Sequence, residues 1–513
     1  MANDQSSMPP LNIVELTHLP HELLIQIIHP LDDESICALA RMCRPLHFFA
    51  LPLFLSRYGV CILPPDCVSI TCPSKEALSA LRASLFMENI KKIQFHTIDE
   101  DADRLFSDIC ALRRLFARLP SFSSLSLIYS THGFVENSAL YDPAFDMRKW
   151  STELSALLDT AIQKSCQSLY IFGTDDVYSN EPDPQERRAT KVGKVSTGKA
   201  SRKLFSFFSR AKIPPDPPRT QLNDFVIASS MLLQSHFFRW TLSTLRANAE
   251  TMTQLKFNKV IANSSTWHQL LSTLALPLLF SFELNASGQL VEGKNVDLRD
   301  VEVFLTRHPS ILILNISGIL IPDLVPQFQK PILPKLCYIE AHPKFIAWLL
   351  HYHLVHFQML KVVTITTESS DFDYNKFDEA LEAISLSDVN IAQLSLNFVS
   401  SNGHEWMQKH ISSSMTPLGS IIAHLSRITY LTIHTNYRMM LDDGDDLMVQ
   451  LLPQFLALFS SLEKVNFNQQ LCVTQRANLK GCKDAFKKIL SACPRVKTIL
   501  INLAVIDLAF LEV

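Results

Sequence analysis

Several places along this 513-residue chain carry residue types that could do chemistry, and each lacks something that the chemistry needs. Gly193, Lys194, Gly198 and Lys199 fit the opening positions of a phosphate-binding loop, but Ala200 stands where a Ser or Thr hydroxyl would hold magnesium. The preceding ERRATK is charged and is no buried strand, so nothing would hold backbone N–H groups around a phosphate. His404 and Glu405 begin like the helix of a zinc protease. Gln408 occupies the second ligand position, and His410 falls on another helical face. His342, His351, His353 and His356 gather near Trp348 and Tyr352, yet only His353 and His356 share a helical face, so structural or solvent-facing histidines are expected. Asp442, Asp443, Asp445 and Asp446 around Gly444 resemble a calcium loop in composition alone. The alternation and the closing Glu are absent, and a solvated loop capping a helix at Leu447 is the better account.

The 11 cysteines include no C-x-x-C pair, and Cys61, Cys67 and Cys72 fit no common zinc module. MANDQSSMPP is too polar for a signal peptide, which favours reduced thiols in the cytoplasm, the nucleus or both. No G-x-S-x-G elbow is present. No catalytic or metal-ligating residue is named on these grounds, and no cofactor is expected.

What remains is the set of elements that could position another molecule. Residues 19–54 read as three short amphipathic helices. Pro20 suits a first turn, Leu24, Ile27, Ile28 and Leu31 follow a helical spacing, and Pro30 closes the helix. Asp32, Asp33 and Glu34 supply a cap and negative charge for the second helix, where Ile36, Leu39, Ala40 and Cys43 repeat the spacing. Pro45 opens the third, with Leu46, Phe49, Ala50 and Leu53. So short an element cannot bury that many apolar groups among its own helices, and the surplus implies a partner, in trans or in the rest of the chain.

This segment resembles the F-box family. Leu19, Pro20, Glu22, Leu23, Leu24, Ile27, Leu31, Leu39, Ala40, Cys43, Arg44 and Phe49 match its pattern in order. Met42 stands where Val is usual, and His47 or Phe48 where Trp is common. The resemblance implies a non-catalytic substrate receptor. Its helices would dock a Skp-type adaptor and through it a cullin-RING ubiquitin ligase, and the remainder would hold an unknown protein substrate. For the adaptor contact, Leu19, Pro20, Leu23, Leu24, Ile27, Ile28 and Leu31 are the expected anchors, because apolar anchors dominate such interfaces. Ile36, Leu39 and Cys43 are expected to pack the helices together.

Beyond that segment an apolar-x-x-apolar-x-apolar core recurs. It reads at Ile90/Ile93/Phe95, Phe122/Leu125/Leu127, Cys166/Leu169/Ile171, Met252/Leu255/Phe257, Leu279/Phe282/Leu284 and Leu333/Leu336/Tyr338. It continues at Leu360/Val363/Ile365, Ile391/Leu394/Leu396, Ile428/Leu431/Ile433, Leu462/Val465/Phe467 and Val496/Ile499/Ile501, with a partial copy at Leu312/Leu314. Helix-like stretches fill the gaps, as at Ala102 to Leu119, Val296 to Arg307, Leu447 to Phe459 and Lys483 to Ala492. From Leu255 to Ile499 the core returns every 24 to 37 residues, which resembles a leucine-rich-repeat solenoid. Only Ile428, Leu431, Ile433 and Asn436 complete L-x-x-L-x-L-x-x-N, so the Asn ladder is mostly missing and the turns must be satisfied otherwise.

The expected fold is α/β: a three-helix F-box, then an irregular leucine-rich-repeat-like solenoid with short parallel strands. The expected domains are a disordered tail (1–12), the F-box (13–58), a first part of the array (59–179), a disordered basic insertion (180–220) and a second part (221–513). Residues 181–220 carry ten Lys/Arg against four Asp/Glu and are rich in Pro and Ser. A net charge of −3 gives no pull toward nucleic acid, and no run of 18 uninterrupted apolar residues exists to span a membrane. Two alternatives stand beside the ligase receptor. One is a non-ligase scaffold whose F-box-like cap folds back on its own repeats. The other is an α/β hydrolase, which would need a deep polar pocket.

Overall fold

The computed structural model describes residues 19–63, 66–71, 73–98, 102–130, 146–173, 221–286, 295–321, 332–353, 357–367, 372–399, 402–414, 419–435, 447–469 and 483–506. The tail 1–12, the insertion 180–220 with its phosphate-loop-like segment, Cys72, His356, Asn436 and the aspartate loop 442–446 lie outside them. The chain divides into two compact units: Met1–Arg187 with Thr220–Leu222, and Arg188–Arg219 with Asn223–Val513.

The first unit opens with α1 (His21–Ile28), α2 (Asp33–Met42) and α3 (Arg44–Arg57). Strand β1 (Val60–Leu63) follows, then β2 (Cys67–Thr71), α4 (Lys75–Arg82), β3 (Lys92–Ile98), α5 (Ala102–Arg118), β4 (Ser124–Ser130), α6 (Met147–Gln163) and β5 (Ser168–Phe172). Strand β1 pairs antiparallel with β2, while β2, β3, β4 and β5 are parallel in chain order. The three opening helices are not a separate body, since α3 packs against β1 and α4. Helix α5 buries Leu105, Ile109, Leu112, Leu115, Phe116 and, just past its end, Leu119, a spacing that keeps one face on the sheet. Side chains from Ser74 and Asp146 cap α4 and α6, each accepting from the backbone three residues on.

The second unit continues the alternation with β6 (Asp224–Ala228), α7 (Ser235–Ala247), β7 (Gln254–Val260), α8 (Ser264–Thr273), β8 (Ser281–Ala286), β9 (Val296–Asp297) and α9 (Leu298–Arg307). Next come β10 (Ile313–Ser317), β11 (Ile319–Leu320), β12 (Tyr338–Ala341), α10 (Pro343–His353), β13 (Val362–Ile365), α11 (Lys376–Leu386), β14 (Gln393–Phe398) and α12 (Gly403–Ser413). It closes with β15 (Tyr430–Thr435), α13 (Leu447–Ala457), β16 (Lys464–Gln469), α14 (Lys483–Ala492), β17 (Thr498–Ile501) and β18 (Ala504–Val505). Its sheet runs in chain order from β6 to β18, with only β9 and β11 set aside as a separate parallel pair. Every ladder from β6 to β17 is parallel, and β18 alone turns back antiparallel on β17. This is the order of a solenoid. A doubly wound sheet reverses its strand order and places a ligand crevice at the reversal, and among the described residues neither unit has such a point.

One row of the second sheet runs Phe225, Leu255, Phe282, Leu314, Ile339, Val363, Leu394, Leu431, Val465 and Ile499, all buried. These are the middle positions of the sequence pattern, with three adjustments. The copy read at Leu333/Leu336/Tyr338 is Leu336/Ile339/Ala341, because Leu333 stands before a turn through Pro334 in which the Leu336 N–H donates to the Leu333 carbonyl. The partial copy at Leu312/Leu314 is a full one, Ile311/Leu314/Ile316. The alternation points Ile313 outward at 40% exposure and turns Leu314 and Ile316 inward. A further copy, Leu222/Phe225/Ile227, precedes those read from the sequence.

The missing Asn ladder has a backbone substitute. Just before each strand, one carbonyl accepts two N–H groups from the start of the next strand. The Ala392 carbonyl takes Thr429 N at 2.9 Å and Tyr430 N at 3.1 Å, and the Thr429 carbonyl takes Glu463 N at 2.9 Å and Lys464 N at 3.0 Å. The same fork recurs at Lys91 and Ser123 in the first unit, and at Asn223, Thr253, Phe280, Leu312, Cys337, Lys361 and Glu463 in the second. The Ser123, Thr253 and Thr429 hydroxyls also donate to the Lys91, Asn223 and Ala392 carbonyls, at 3.1, 3.0 and 3.3 Å, but the pair of backbone N–H groups is what these forks share.

At the other end of β10, Gly318 has φ +73°, and a Cβ there would lie 1.8 Å from the Ala286 carbonyl oxygen. Neither the conformation nor the space admits a side chain. Gly318→Ala is expected to destabilise the fold by about 1–3 kcal/mol, read as a lower urea midpoint. An unchanged midpoint would contradict this close approach.

Candidate functional site

Helix α1 carries five apolar side chains in eight residues, more than one stripe can bury. Leu24 and Ile28, one turn apart, are buried to 1% and 0% exposure on the side that packs against α3. Leu23 and Ile27 form a second pair about 100° round the helix, each 45% exposed. Ile25 on the other flank is 41% exposed, Pro20 is exposed, and Leu19 and Leu31 are half-buried. The seven expected anchors therefore separate. Leu24 and Ile28 are buried on the face of α1 that packs on α3. Ile36 is buried, and Leu39 and Cys43 are half-buried. The sequence reading missed Ile25 and two further exposed groups, Met42 (73%) and Phe48 (43%). The available signal was the count: α1 is apolar on more sides than α3 can cover.

Local chemistry fixes this surface. The Pro20 carbonyl accepts from Leu23 N and Leu24 N, and the Asp32 carboxylate caps α2 by accepting from Ser35 N at 2.7 Å. The Arg57 guanidinium donates to Asp33 and to the His29 carbonyl, both at 2.6 Å, and the Tyr58 hydroxyl donates to the other Asp33 oxygen. The bonds from Tyr58 and then Arg57 hold the Asp33 carboxyl below its ordinary range. Asp33 thus ties the start of α2 to the end of α3, and Arg57 ties the end of α1 to both. The His47 ring donates from Nδ1 to the Ala40 carbonyl (3.0 Å) and accepts Leu85 N at Nε2 (3.1 Å), so it braces the helices where the family pattern often has Trp.

A second surface belongs to the other unit. The outward row of its sheet carries Lys256, Glu283, Asn315, Glu340, Thr364, Ser395, Thr432 and Asn466. Lys256 lies 3.8 Å from Glu283, the Tyr338 hydroxyl donates to Glu340 at 2.8 Å, and the Lys464 ammonium sits 4.6 Å above the Tyr430 ring. Burial, opposed by Lys256 and reinforced by Glu340, pushes the Glu283 carboxyl up. The row is polar and only its first half is open: Lys256, Glu283, Asn315 and Glu340 are half-buried, whereas Thr364, Ser395, Thr432 and Asn466 are buried.

Among the described residues no group of three or more His, Cys, Asp or Glu is placed to hold a metal, and no helix is long and apolar enough to cross a membrane. His342 is half-buried, with burial lowering it to about 4, and His351 is exposed. Burial pushes the Cys166 thiol up to about 12 and Cys493 to about 11. The discarded His404–Glu405 motif leads to something the sequence did not disclose. His410 Nε2 meets Asp378 at 2.9 Å, and Nδ1 meets the Ser420 hydroxyl at 2.9 Å. The composition is that of a Ser-His-Asp triad. Yet Ser420 is 1% and His410 4% exposed, and the same hydroxyl accepts Ile422 N at 3.3 Å. A nucleophile must reach substrate, whereas this network fastens α11, α12 and the turn Ile421–His424 to one another.

Residues 16–57, 42 of the 513, match the family described as F-box-like, so the N-terminal helices are an F-box-like domain. No curated protein matches the chain in sequence. Among solved structures, the crystal structure of a TLR13–ssRNA13 complex aligns at 11% identity and a TM-score of 0.28, over 80% of this chain and 36% of that one. The chain thus spans about a third of that protein's length, and at that score the likeness bears on neither fold nor function.

The buried network has a pH signature. Burial pushes the Asp378 carboxyl up, but bonds from His410, Lys409 and Trp406 outweigh it and hold the group below its ordinary 3.8. A carboxylate held low in the fold contributes stability that is complete above its unfolded value and is lost as pH falls through the folded one. Urea unfolding of the intact chain should therefore weaken more steeply below pH 3.8 than that of Asp378→Asn. Equal acid slopes would remove the charge from the network.

Proposed function

We propose that the chain is the substrate-recognition subunit of a Skp-cullin-F-box type ubiquitin ligase. The F-box-like domain docks a Skp-type adaptor, and the strand–helix repeats hold a protein substrate. The observation that carries this reading is the exposed apolar flank of α1, where Leu23 and Ile27 stand 45% open while Leu24 and Ile28 are buried toward α3. Adjoining exposed apolar side chains of that kind mark an interaction surface. Leu19, Pro20 and Leu31 border it, and Ile25 widens it. The chain's part in ubiquitin transfer is proximity. A tethered substrate presents its lysines at high local concentration to the charged conjugating enzyme, whose catalytic groups belong to other subunits. The half-open polar row of the second unit's sheet is the surface for the substrate. On this reading the chain works in the cytoplasm, the nucleus or both.

One observation favours a non-ligase scaffold instead: α3 packs on β1 and α4, so part of the F-box-like domain is already engaged within its own unit. Coexpression with a Skp-type adaptor separates the two. The intact chain should copurify with the adaptor. Leu23→Asp with Ile27→Asp should lose it by about tenfold or more, with stability changed by no more than about 0.5 kcal/mol, as for surface positions. Leu24→Ala is the contrast, with a cost of about 2–5 kcal/mol in stability from the cavity it leaves. Adaptor retained on the folded double variant would rule out docking through α1.

A further inference from the structure

Where the strands of the second sheet finish, its outward face carries hydrogen-bonding groups that the fold does not use. Two residues beyond the row already described stand Asn258 on β7, Asn285 on β8 and Ser317 on β10. His342 and Thr366 follow, each one residue past its strand, β12 and β13. The Thr366 N–H donates to the Ala341 carbonyl at 2.9 Å, so the ladder reaches that far. Asn397 on β14, His434 on β15 and Asn468 on β16 complete the line. Thr366 is 8% exposed, and the others are half-buried.

Part of the bonding capacity of this row is unmet. Thr366 and Asn397 are neighbours in register, and Thr366 Oγ1 and Asn397 Oδ1 are both buried without a hydrogen-bond partner. The His434 ring beside them makes no hydrogen bond among the described residues. Burial lowers it, as it lowers His342, and both rings are neutral at neutral pH. A covered polar atom without a partner is costly, and a ligand that completes it removes the cost. The charged groups nearer the strand starts already have neighbours in the protein, Lys256 beside Glu283 and Lys464 above Tyr430.

The chemistry of the row selects its ligand. Amide, hydroxyl and neutral imidazole each offer a donor and an acceptor, and none carries a charge. A phosphate or carboxylate finds no guanidinium or ammonium here, and a nucleic-acid backbone finds no basic track. A polypeptide main chain alternates N–H and C=O without charge, and it fits. Neighbouring strands lie about 4.8 Å apart, so the row from β7 to β16 runs about 34 Å, which an extended chain covers in about ten residues. We propose that this row grips the main chain of an extended polypeptide segment whose side chains toward the sheet are uncharged, with Thr366, Asn397 and His434 at its centre. This use of the row rests on the reading of the repeats as the holder of a protein substrate, and it gives that substrate a class: an unmodified, uncharged stretch in extended form. Main-chain hydrogen bonds supply the affinity in such recognition, and side chains add the specificity.

The test uses the full chain and three fluorescent peptide libraries about twelve residues long, read by polarisation. The first is drawn from Gly, Ala, Ser, Thr, Val, Asn and Gln. The second places Glu or Lys at every other position. The third repeats the first with every other amide N-methylated, which removes main-chain donors and changes no side chain. The first library should bind about tenfold tighter than either of the others. Asn397→Ala with His434→Ala should weaken its binding about tenfold while the urea midpoint stays as it was. Asn397→Asp, of the same shape but charged, should weaken it likewise and carries the test if the alanine pair does not fold. Adaptor copurification is measured on the same preparations. Peptide discrimination without adaptor would end the ligase reading alone, and adaptor without peptide discrimination would end the proposed use of the row alone. Equal binding of the three libraries or of none, discrimination that survives the variants, or competition by a neutral oligosaccharide as strong as by unlabelled peptide would overturn the proposal.

Discussion

In both units the carbonyl just ahead of a strand accepts two N–H groups from the start of the next strand, and the rest of the fold is arranged around that fork. It sets the register of each new strand from the one before. Register in turn decides which side chains face inward, because a slip of one residue would exchange the two faces. The apolar rows from Phe225 to Ile499 and from Ile93 to Leu169 are consequences of that setting. Because the two N–H groups of the fork ask for no particular side chain, sequence can drift at the turns. This accounts for a repeat whose consensus is faint while its geometry is regular.

Much of this was legible in the sequence. Helices α5, α13 and α14 fall within a few residues of the stretches read as helical, and most apolar triplets sit where the pattern put them. The failures have physical causes. Around Pro334 two apolar frames compete, Leu333/Leu336/Tyr338 and Leu336/Ile339/Ala341, and only the turn that closes on Leu333 selects the second. At Leu312 the pattern offered Leu312 and Leu314 as one strand's inward pair, but Leu312 precedes β10 and is half-buried, and the buried pair of the strand is Leu314 and Ile316. The fork itself left no trace in the sequence, since any residue provides a carbonyl. His410 was invisible for a related reason. Its partners Asp378 and Ser420 come from elements that meet only after the repeats stack.

The F-box-like helices show how far an amphipathic pattern can go. Spacing identifies that a helix has an apolar side; it does not identify which of two apolar sides meets the protein's own interior. In α1 the pairs Leu23/Ile27 and Leu24/Ile28 are indistinguishable by type and spacing. The placement of α3 separates them, sealing one and leaving the other. The Asp33, Arg57 and Tyr58 cluster beside the end of α1 helps keep that placement fixed, chiefly through geometry, since an exposed ion pair adds little to stability.

The reversed strand β18 has a consequence for how copies of the chain behave at high concentration. A parallel sheet that stopped at β17 would offer a bare row of donors and acceptors with the polarity of every preceding strand, a template on which a neighbouring molecule could extend the stack. Strand β18 occupies that row with two residues running the other way. Among the described residues, an incoming strand then meets a strand of the wrong direction to propagate. The end of the second sheet is thus guarded against edge-to-edge aggregation by geometry, even though Leu503 and Val505 leave apolar groups in water there.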